Sequence, residues 1–152
     1  MLDIREDDLT HPQTRALLAL HLRGMRTTSP AESVFALDLS GLRAPDITVW
    51  TAWIGDNIAG VAALRALAPN HGEIKSMRTH PDHLRKGVAA ALLRHIVAQA
   101  SGRGMARLSL ETGSGAAFEP ALALYRAHGF ENGPAFGDYT ASAFNQFLHR
   151  RC

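Results

Sequence analysis

A single cysteine, Cys152, excludes an internal disulfide framework and a cysteine-based zinc site, and it suits a reducing compartment. No apolar run approaches the ~20 residues that a membrane-spanning helix needs. Residues 1 to 8, MLDIREDD, are acidic where a secretion signal would be basic and then apolar. These absences lead to the expectation of a cytoplasmic protein with no membrane partner. Lys and Arg total 16 against 14 Asp and Glu, a net charge of +2. No basic stripe interleaved with aromatics occurs, so nucleic acid is not expected as a partner. The eight histidines include no His-x-x-x-His pair with an acid nearby; His80 and His83 read as polar loop residues, and no metal is expected. Internal repeats, low-complexity segments and a Gly-x-x-x-x-Gly-Lys-Ser/Thr loop are also missing, which sets aside repeat architectures and P-loop nucleotide binding.

What is present suffices for one folded unit. With 152 residues, 46% hydrophobic and 20% charged, the chain suits a single domain over 1–152 with a real core. Its organising stretch starts at Glu73. Residues 73–79, Glu-Ile-Lys-Ser-Met-Arg-Thr, alternate as a strand does, and Pro81 bars His80 from helical dihedrals, so the strand ends there. A basic loop follows. From Val88 the apolar residues recur as Val88, Leu92 and Ile96 with Ala89, Leu93 and Val97 beside them, the spacing of a helix with a wide buried face. Gly87 therefore stands where a loop enters a helix. The first amides of a helix have no intrahelical partner and carry the positive end of its dipole, and a glycine lets an anion approach them closely. Arg85 and Lys86 add charge there, although the same spacing also suits an ordinary connection with solvated basic residues.

Elsewhere the pattern predicts a strand at Leu2 to Arg5 and a helix over 13–24 ended by Gly24, with Met25 to Thr28 as a loop. A second helix is expected from Ser29, because Ser29-Pro30-Ala31-Glu32 makes a capping box; Gly41 and Pro45 break it. Residues 47–54 and 58–67 read as a hairpin about Gly55-Asp56-Asn57, and a turn over Pro69 to Gly72 leads into the Glu73 strand. Three antiparallel strands result. After Ser101-Gly102-Arg103-Gly104 stops the long helix, residues 107–111 form a strand with Arg107, Ser109 and Glu111 on one face. A helix opens at Pro120 with Ala121, Leu124, Tyr125 and His128 on its inner stripe and Gly129 as its cap. Strands over 130–136 and 143–149 complete the sheet.

Leu84-Arg85-Lys86-Gly87-Val88-Ala89 resembles the acyl-CoA pyrophosphate loop of the GNAT superfamily of N-acetyltransferases, whose pattern is Gln or Arg, two variable residues, Gly, one variable residue, then Gly or Ala. Gly87 and Ala89 match, and Leu84 departs from it. Residues 121–130, from Ala121 through Leu124-Tyr125 to Gly129-Phe130, resemble the family's Ala-x-x-Leu-Tyr-x-x-x-Gly-Phe signature. A second departure is Phe118, where many members carry an asparagine that contacts CoA. The segments Ser29-Pro30, Ala36 to Leu39, Arg43 to Asp46 and Glu119-Pro120 resemble a bacterial subgroup of acetyltransferases. The resemblance covers almost the whole chain and implies an α/β (α+β) fold: a mixed, mostly antiparallel six- to seven-stranded sheet flanked by about four helices.

The function it implies is acetyl-CoA-dependent transfer of an acetyl group to a primary amine of a small molecule, by direct attack through a tetrahedral intermediate. Such a transfer needs a neutral amine, a donor to the developing oxyanion and a proton for the departing thiolate. By resemblance, acetyl-CoA is held by Met77, Arg78 and Thr79 of the central strand, by Leu84, Arg85, Lys86, Gly87, Val88, Ala89 and Ala90, and by Phe118. The amide of Met77 or Arg78 lies near the thioester oxygen, and Tyr125 is the acid. Glu73, as a water-mediated base, and Glu111, as an amine-binding carboxylate, are the other catalytic candidates. His21, Arg23, Arg26 and Arg78 at the pocket mouth favour an acceptor that carries a carboxylate, such as an amino acid; Arg23 and Arg26 also suit solvated charges at a helix end. A non-catalytic acyl-CoA-binding sensor or interaction domain is the alternative, which Leu84 and Phe118 favour and Tyr125 opposes. Family members are often homodimers, and Phe136-Gly137-Asp138-Tyr139 with Phe144 and Phe147 fit either an interface or the core.

Overall fold

The computed structural model describes residues 1–31, 34 and 36–152. Seven strands form one sheet in the order β1-β2-β3-β4-β5-β7-β6. They are β1 (Leu2–Glu6), β2 (Ile47–Ile54), β3 (Asn57–Ala68), β4 (His71–Thr79), β5 (Arg107–Thr112), β6 (Glu131–Asn132) and β7 (Gln146–Arg151). The helices are α1 (Pro12–Thr28), α2 (Leu39–Leu42), α3 (Val88–Gly102) and α4 (Glu119–Ala127). Every strand pair is antiparallel except β4–β5. A parallel neighbour requires a crossover, and α3 is that crossover. The mixed sheet with four helices is the fold expected from the sequence.

Both faces of the sheet are covered, which is why β2 and β3 read as nearly unbroken apolar runs. On one face Trp50, Ala62, Leu64 and Ile74 pack against Val88, Leu92, Leu93 and Ile96 of α3 and Leu122 and Tyr125 of α4. On the other, Val49, Trp53, Ile58, Val61 and Ala63 pack against Leu17 and Leu18 of α1. Asp7 ties α1 to the sheet, since its Oδ2 accepts from Thr14 Oγ1 at 3.0 Å and Thr51 Oγ1 at 2.9 Å.

Two features of β4 open the sheet. β4 pairs with β5 only through His71–Arg107, Gly72–Leu108 and Glu73–Ser109, so the two strands part beyond Glu73. Between Arg78 and Lys75, three steps along β4 face two along β3, from Val61 to Ala63, and Ser76 within that interval has a φ of +57°. This is a β-bulge, and it bends β4 away from its former neighbour.

Three expectations need correction. Gly24 does not end α1, which continues to Thr28 with the Thr27 and Thr28 hydroxyls donating to the carbonyls of Arg23 and Gly24. Gly24 serves a close approach instead: a Cβ there would lie 2.6 Å from Nη2 of Arg78. Ser29 closes α1, while the next helix is the one-turn α2, capped by Asp38 accepting from the Gly41 amide at 2.8 Å. Glu32 of the expected capping box lies outside the described residues, and Gly41 sits inside α2. Finally, the strand expected over 130–136 shrinks to β6, and the one expected over 143–149 starts later and runs on to Arg151 as β7. The Gly133 amide still donates to the Phe147 carbonyl at 2.9 Å, and Pro134 ends the ladder, since proline has no N–H to donate. Residues 133–145 cross the sheet instead and carry Phe136 and Tyr139 inward.

Candidate active site

The parting of β4 and β5 makes a cavity of ≈ 510 Å³, lined by the outer half of β4, the end of β5, α1 and α4. At one end of it lies the start of α3. Arg85 and Gly87 have φ of +61° and +77°, and Gly87 caps α3 without a side-chain hydrogen bond. The first bond of the helix runs from the Ala91 amide to the Gly87 carbonyl at 3.0 Å, so the amides of Val88, Ala89 and Ala90 carry no intrahelical partner. Nothing approaches within 4 Å of where a Gly87 Cβ would stand. Open space, three forward-pointing amides and the exposed Arg85 and Lys86 fit the diphosphate of a CoA ester. Leu84 and Ala89 line the cavity, with Leu84 59% exposed, whereas the Val88 side chain is buried in the core. Met77, Arg78 and Thr79 line the cavity from β4, whose edge there has no strand partner on the β5 side and can pair with an extended pantetheine arm.

Tyr125 lies on the buried stripe of α4 and faces the cavity. Its hydroxyl makes no hydrogen bond among the described residues, and burial pushes its pKa up to about 12. Phe118 is buried and packs edge-on against Phe144 at 5.5 Å, so it offers the cavity an apolar wall where an asparagine would offer a polar contact.

The two candidate carboxylates occupy different environments. Glu73, 1% exposed, has Lys75 Nζ 3.3 Å from its Oε2 and accepts a hydrogen bond from the Tyr139 hydroxyl on the same oxygen. Lys75 in turn donates to the Tyr139 hydroxyl at 2.8 Å. Glu111 has neither ion pair nor hydrogen bond among the described residues; burial raises its pKa to about 7, with Glu73 adding to the rise and Lys75 opposing it. Burial, then Glu73, hold Tyr139 well above the usual phenol range, so it stays protonated. Arg107, Ser109 and Glu111 do share a face. Below Glu73, Ser109 Oγ lies 2.7 Å from both His71 Nε2 and His149 Nδ1, and burial lowers both imidazole pKa values.

Of the basic residues assigned to the mouth, two reach it and two do not. His21, Gly24, Met25 and Thr28 line the cavity at the i, i+3, i+4, i+7 spacing of one helix face. Arg23 and Arg26 lie off that stripe and are exposed, so the continuation of α1 carries Arg26 outside the cavity. Arg78 donates through Nε to His21 Nδ1 at 3.0 Å and through Nη2 to the His21 carbonyl at 3.3 Å. Burial, helped by Arg78, depresses the His21 pKa to about 4, so a neutral imidazole accepts that bond.

Lys75 and Tyr139 are site residues that sequence reasoning did not assign. Lys75 had a signal in its spacing, two residues beyond Glu73 on the same strand face. Tyr139 had none, because its contacts lie 64 and 66 residues away. The late aromatics weighed for an interface point inward, with Phe136 and Phe147 buried. Among the described residues no group of three His, Cys, Asp or Glu side chains is placed to hold a metal ion, and no helix is long and apolar enough to cross a membrane.

A parted mixed sheet with an open helix N-terminus beside a buried tyrosine is in keeping with the acetyltransferase class, and a sequence model of the acetyltransferase (GNAT) family matches residues 12–130. The chain belongs to that family. It is 50% identical over 150 residues to the uncharacterized N-acetyltransferase YsnE of Bacillus subtilis (strain 168), covering 99% of both chains. It is 49% identical over 148 residues to the uncharacterized N-acetyltransferase YedL of Escherichia coli (strain K12), covering 97% of this chain and 93% of that one. An IAA acetyltransferase of Azospirillum brasilense is 33% identical over 122 residues, 80% of this chain and 78% of its own. The crystal structure of a GNAT family acetyltransferase from Elizabethkingia anophelis with acetyl-CoA bound shares the fold, with a TM-score of 0.73 at 17% identity, covering 99% of this chain and 98% of that one.

Proposed function

We propose that this protein transfers the acetyl group of acetyl-CoA to a primary amine of a small molecule that also carries a carboxylate. The observation that carries the reading is the cavity where β4 leaves β5, which gathers Glu111, Tyr125 and Arg78 at one opening. The amides of Val88 to Ala90, with Arg85 and Lys86, hold the diphosphate, and the free edge of β4 over Met77 to Thr79 pairs with the pantetheine arm. The thioester supplies an activated acetyl group. Arg78 keeps one guanidinium nitrogen, Nη1, uncommitted among the described residues, and it binds the acceptor's carboxylate as a charge-assisted donor.

Glu111 binds the acceptor's ammonium and takes its proton. A carboxylate with a pKa near 7 is a far better base toward an amine at neutral pH than one near 4.5. Tyr125 protonates the departing thiolate and is reprotonated by the second proton that the amine nitrogen loses as the tetrahedral intermediate collapses to the amide. Against a thiol pKa of ~8.5 a phenol at about 12 is a weak donor in water terms, but the thiolate forms in the same buried space, which raises its own proton affinity for the same reason. An amide of the bulged Met77–Arg78 segment faces the developing oxyanion.

Calorimetry with acetyl-CoA, followed by a panel of amino acids, polyamines and cationic antibiotics with thiol release monitored, tests this. Binding followed by release with carboxylated amines is expected. Preference for polyamines or cationic antibiotics overturns the acceptor class, and binding without release across the panel shifts the reading to an acyl-CoA-binding domain.

A further inference from the structure

Residues 133–145 bring Tyr139 across the sheet to the floor of the cavity. Its ring is wedged against Phe136 at 5.1 Å and Phe147 at 5.9 Å, which fixes where the hydroxyl can reach. That hydroxyl donates to Glu73 Oε2 and accepts from Lys75 Nζ at 2.8 Å, while Lys75 Nζ is also 3.3 Å from the same Glu73 oxygen. The ammonium is thus held on two sides. In the β4–β5 register Glu73 lies opposite Ser109, so Lys75 and Glu111, each two residues further along, stand on the same face at the point where the strands part. A lysine side chain not held by Glu73 and Tyr139 has Glu111 as its nearest alternative carboxylate in the cavity.

We infer that Tyr139 is a positioning residue: by tying Lys75 to Glu73 it withholds the ammonium from Glu111 and leaves that carboxylate open to the acceptor amine. The inference rests on the reading in which Glu111 takes the amine proton. The charged and titratable groups around Glu111 are Glu73 and Lys75 on β4 and Tyr139 on the cross-segment, with Tyr125 of α4, Arg78 of β4 and His21 of α1 lining the same cavity. Its neighbour on β7, Phe147, is apolar. Removing the Tyr139 hydroxyl leaves Lys75 restrained only by its 3.3 Å contact with Glu73, so the ammonium can turn toward Glu111, compete with the acceptor amine and hold Glu111 ionised at lower pH.

The test is the pH dependence of kcat/KM, which reports groups of the free enzyme, for the wild type, Glu111→Gln, Tyr139→Phe and Tyr139→Phe with Lys75→Met. The wild type should lose activity below about pH 7, and Glu111→Gln should abolish that acid limb. In Tyr139→Phe the limb should move down by about one pH unit or more, as an opposite charge at contact requires, while the acceptor KM rises and acetyl-CoA affinity is unchanged. Adding Lys75→Met should reverse the downward move, which loss of packing alone does not predict. A limb that survives Glu111→Gln overturns the assignment of the base, and the positioning role with it. A Glu111-dependent limb that stays in place in Tyr139→Phe, with KM unchanged, overturns the positioning role alone.

Discussion

At the scale of single residues, the site depends on side chains whose protonation is set by burial. Tyr125 was legible in the sequence because the i, i+3, i+4 stripe of α4 put it inward and Gly129, at a φ of +87°, ends the helix where a left-handed cap is needed. Tyr125→Phe keeps the ring and its packing against Phe130, so acetyl-CoA affinity should stay within about twofold while turnover falls by about 10²-fold or more, the usual worth of a general acid. Calorimetry and thiol release measure the two separately. Equal losses in both would mean that the hydroxyl binds rather than reacts. Glu111 was readable as a strand-face carboxylate, but the commitment of Lys75 to Glu73 was not, since Tyr139 takes part in it.

At the scale of elements, α1 shows how a correct residue pattern can be given the wrong boundary. Gly24 looked like a stop, yet no proline or competing cap follows it before Ser29-Pro30, so the helix runs on to Thr28, with the Thr27 and Thr28 hydroxyls turned back onto carbonyls one turn earlier. The glycine is there for the Arg78 guanidinium, a contact from another element that no local rule can supply. Gly24→Ala should therefore leave the melting temperature unchanged or slightly raised, because alanine gains up to about 1 kcal/mol in helix propensity. The same change should raise the acceptor KM by displacing Arg78 from His21. Melting curves together with initial rates check this, and a variant that loses stability without a change in KM would remove Arg78 from acceptor binding. At α3, Arg85→Ala with Lys86→Ala should weaken acetyl-CoA binding and flatten its dependence on salt, since these exposed charges are screened by it. Calorimetry at two ionic strengths measures that slope.

At the scale of the whole molecule, two buried groups oppose each other as pH changes. His21 titrates at about 4 when folded against an ordinary 6.5, so its contribution is complete above pH 6.5 and is lost as pH falls toward 4. That gap corresponds to about 3 kcal/mol. Glu111 titrates at about 7 against an ordinary 4.5, so stability it does not cost below pH 4.5 is lost as pH rises toward 7, by about 2 kcal/mol after discounting for its partial access to water. The two nearly cancel between pH 4.5 and 6.5. Glu111→Gln removes the opposing one, and urea unfolding across this range should show stability rising more steeply with pH in the variant than in the wild type, since the partly buried His71, His95 and His149 also favour the higher pH. Parallel curves would show that Glu111 is better solvated than its position suggests.

The sequence by itself determined the element order, the strand β4 that leads into the loop, the open start of α3 and the inward Tyr125. Each of these follows from periodicity, caps and the dihedral limits of proline and glycine, which act over a few residues. Only the tertiary structure decided where the sheet opens, how α1 meets Arg78, and which carboxylate is committed to Lys75. Those outcomes depend on strand register, on a one-residue bulge near Ser76 and on Tyr139 reaching residues more than sixty positions away. Contacts of that kind form only when distant segments are packed together, and no spacing along the chain encodes them.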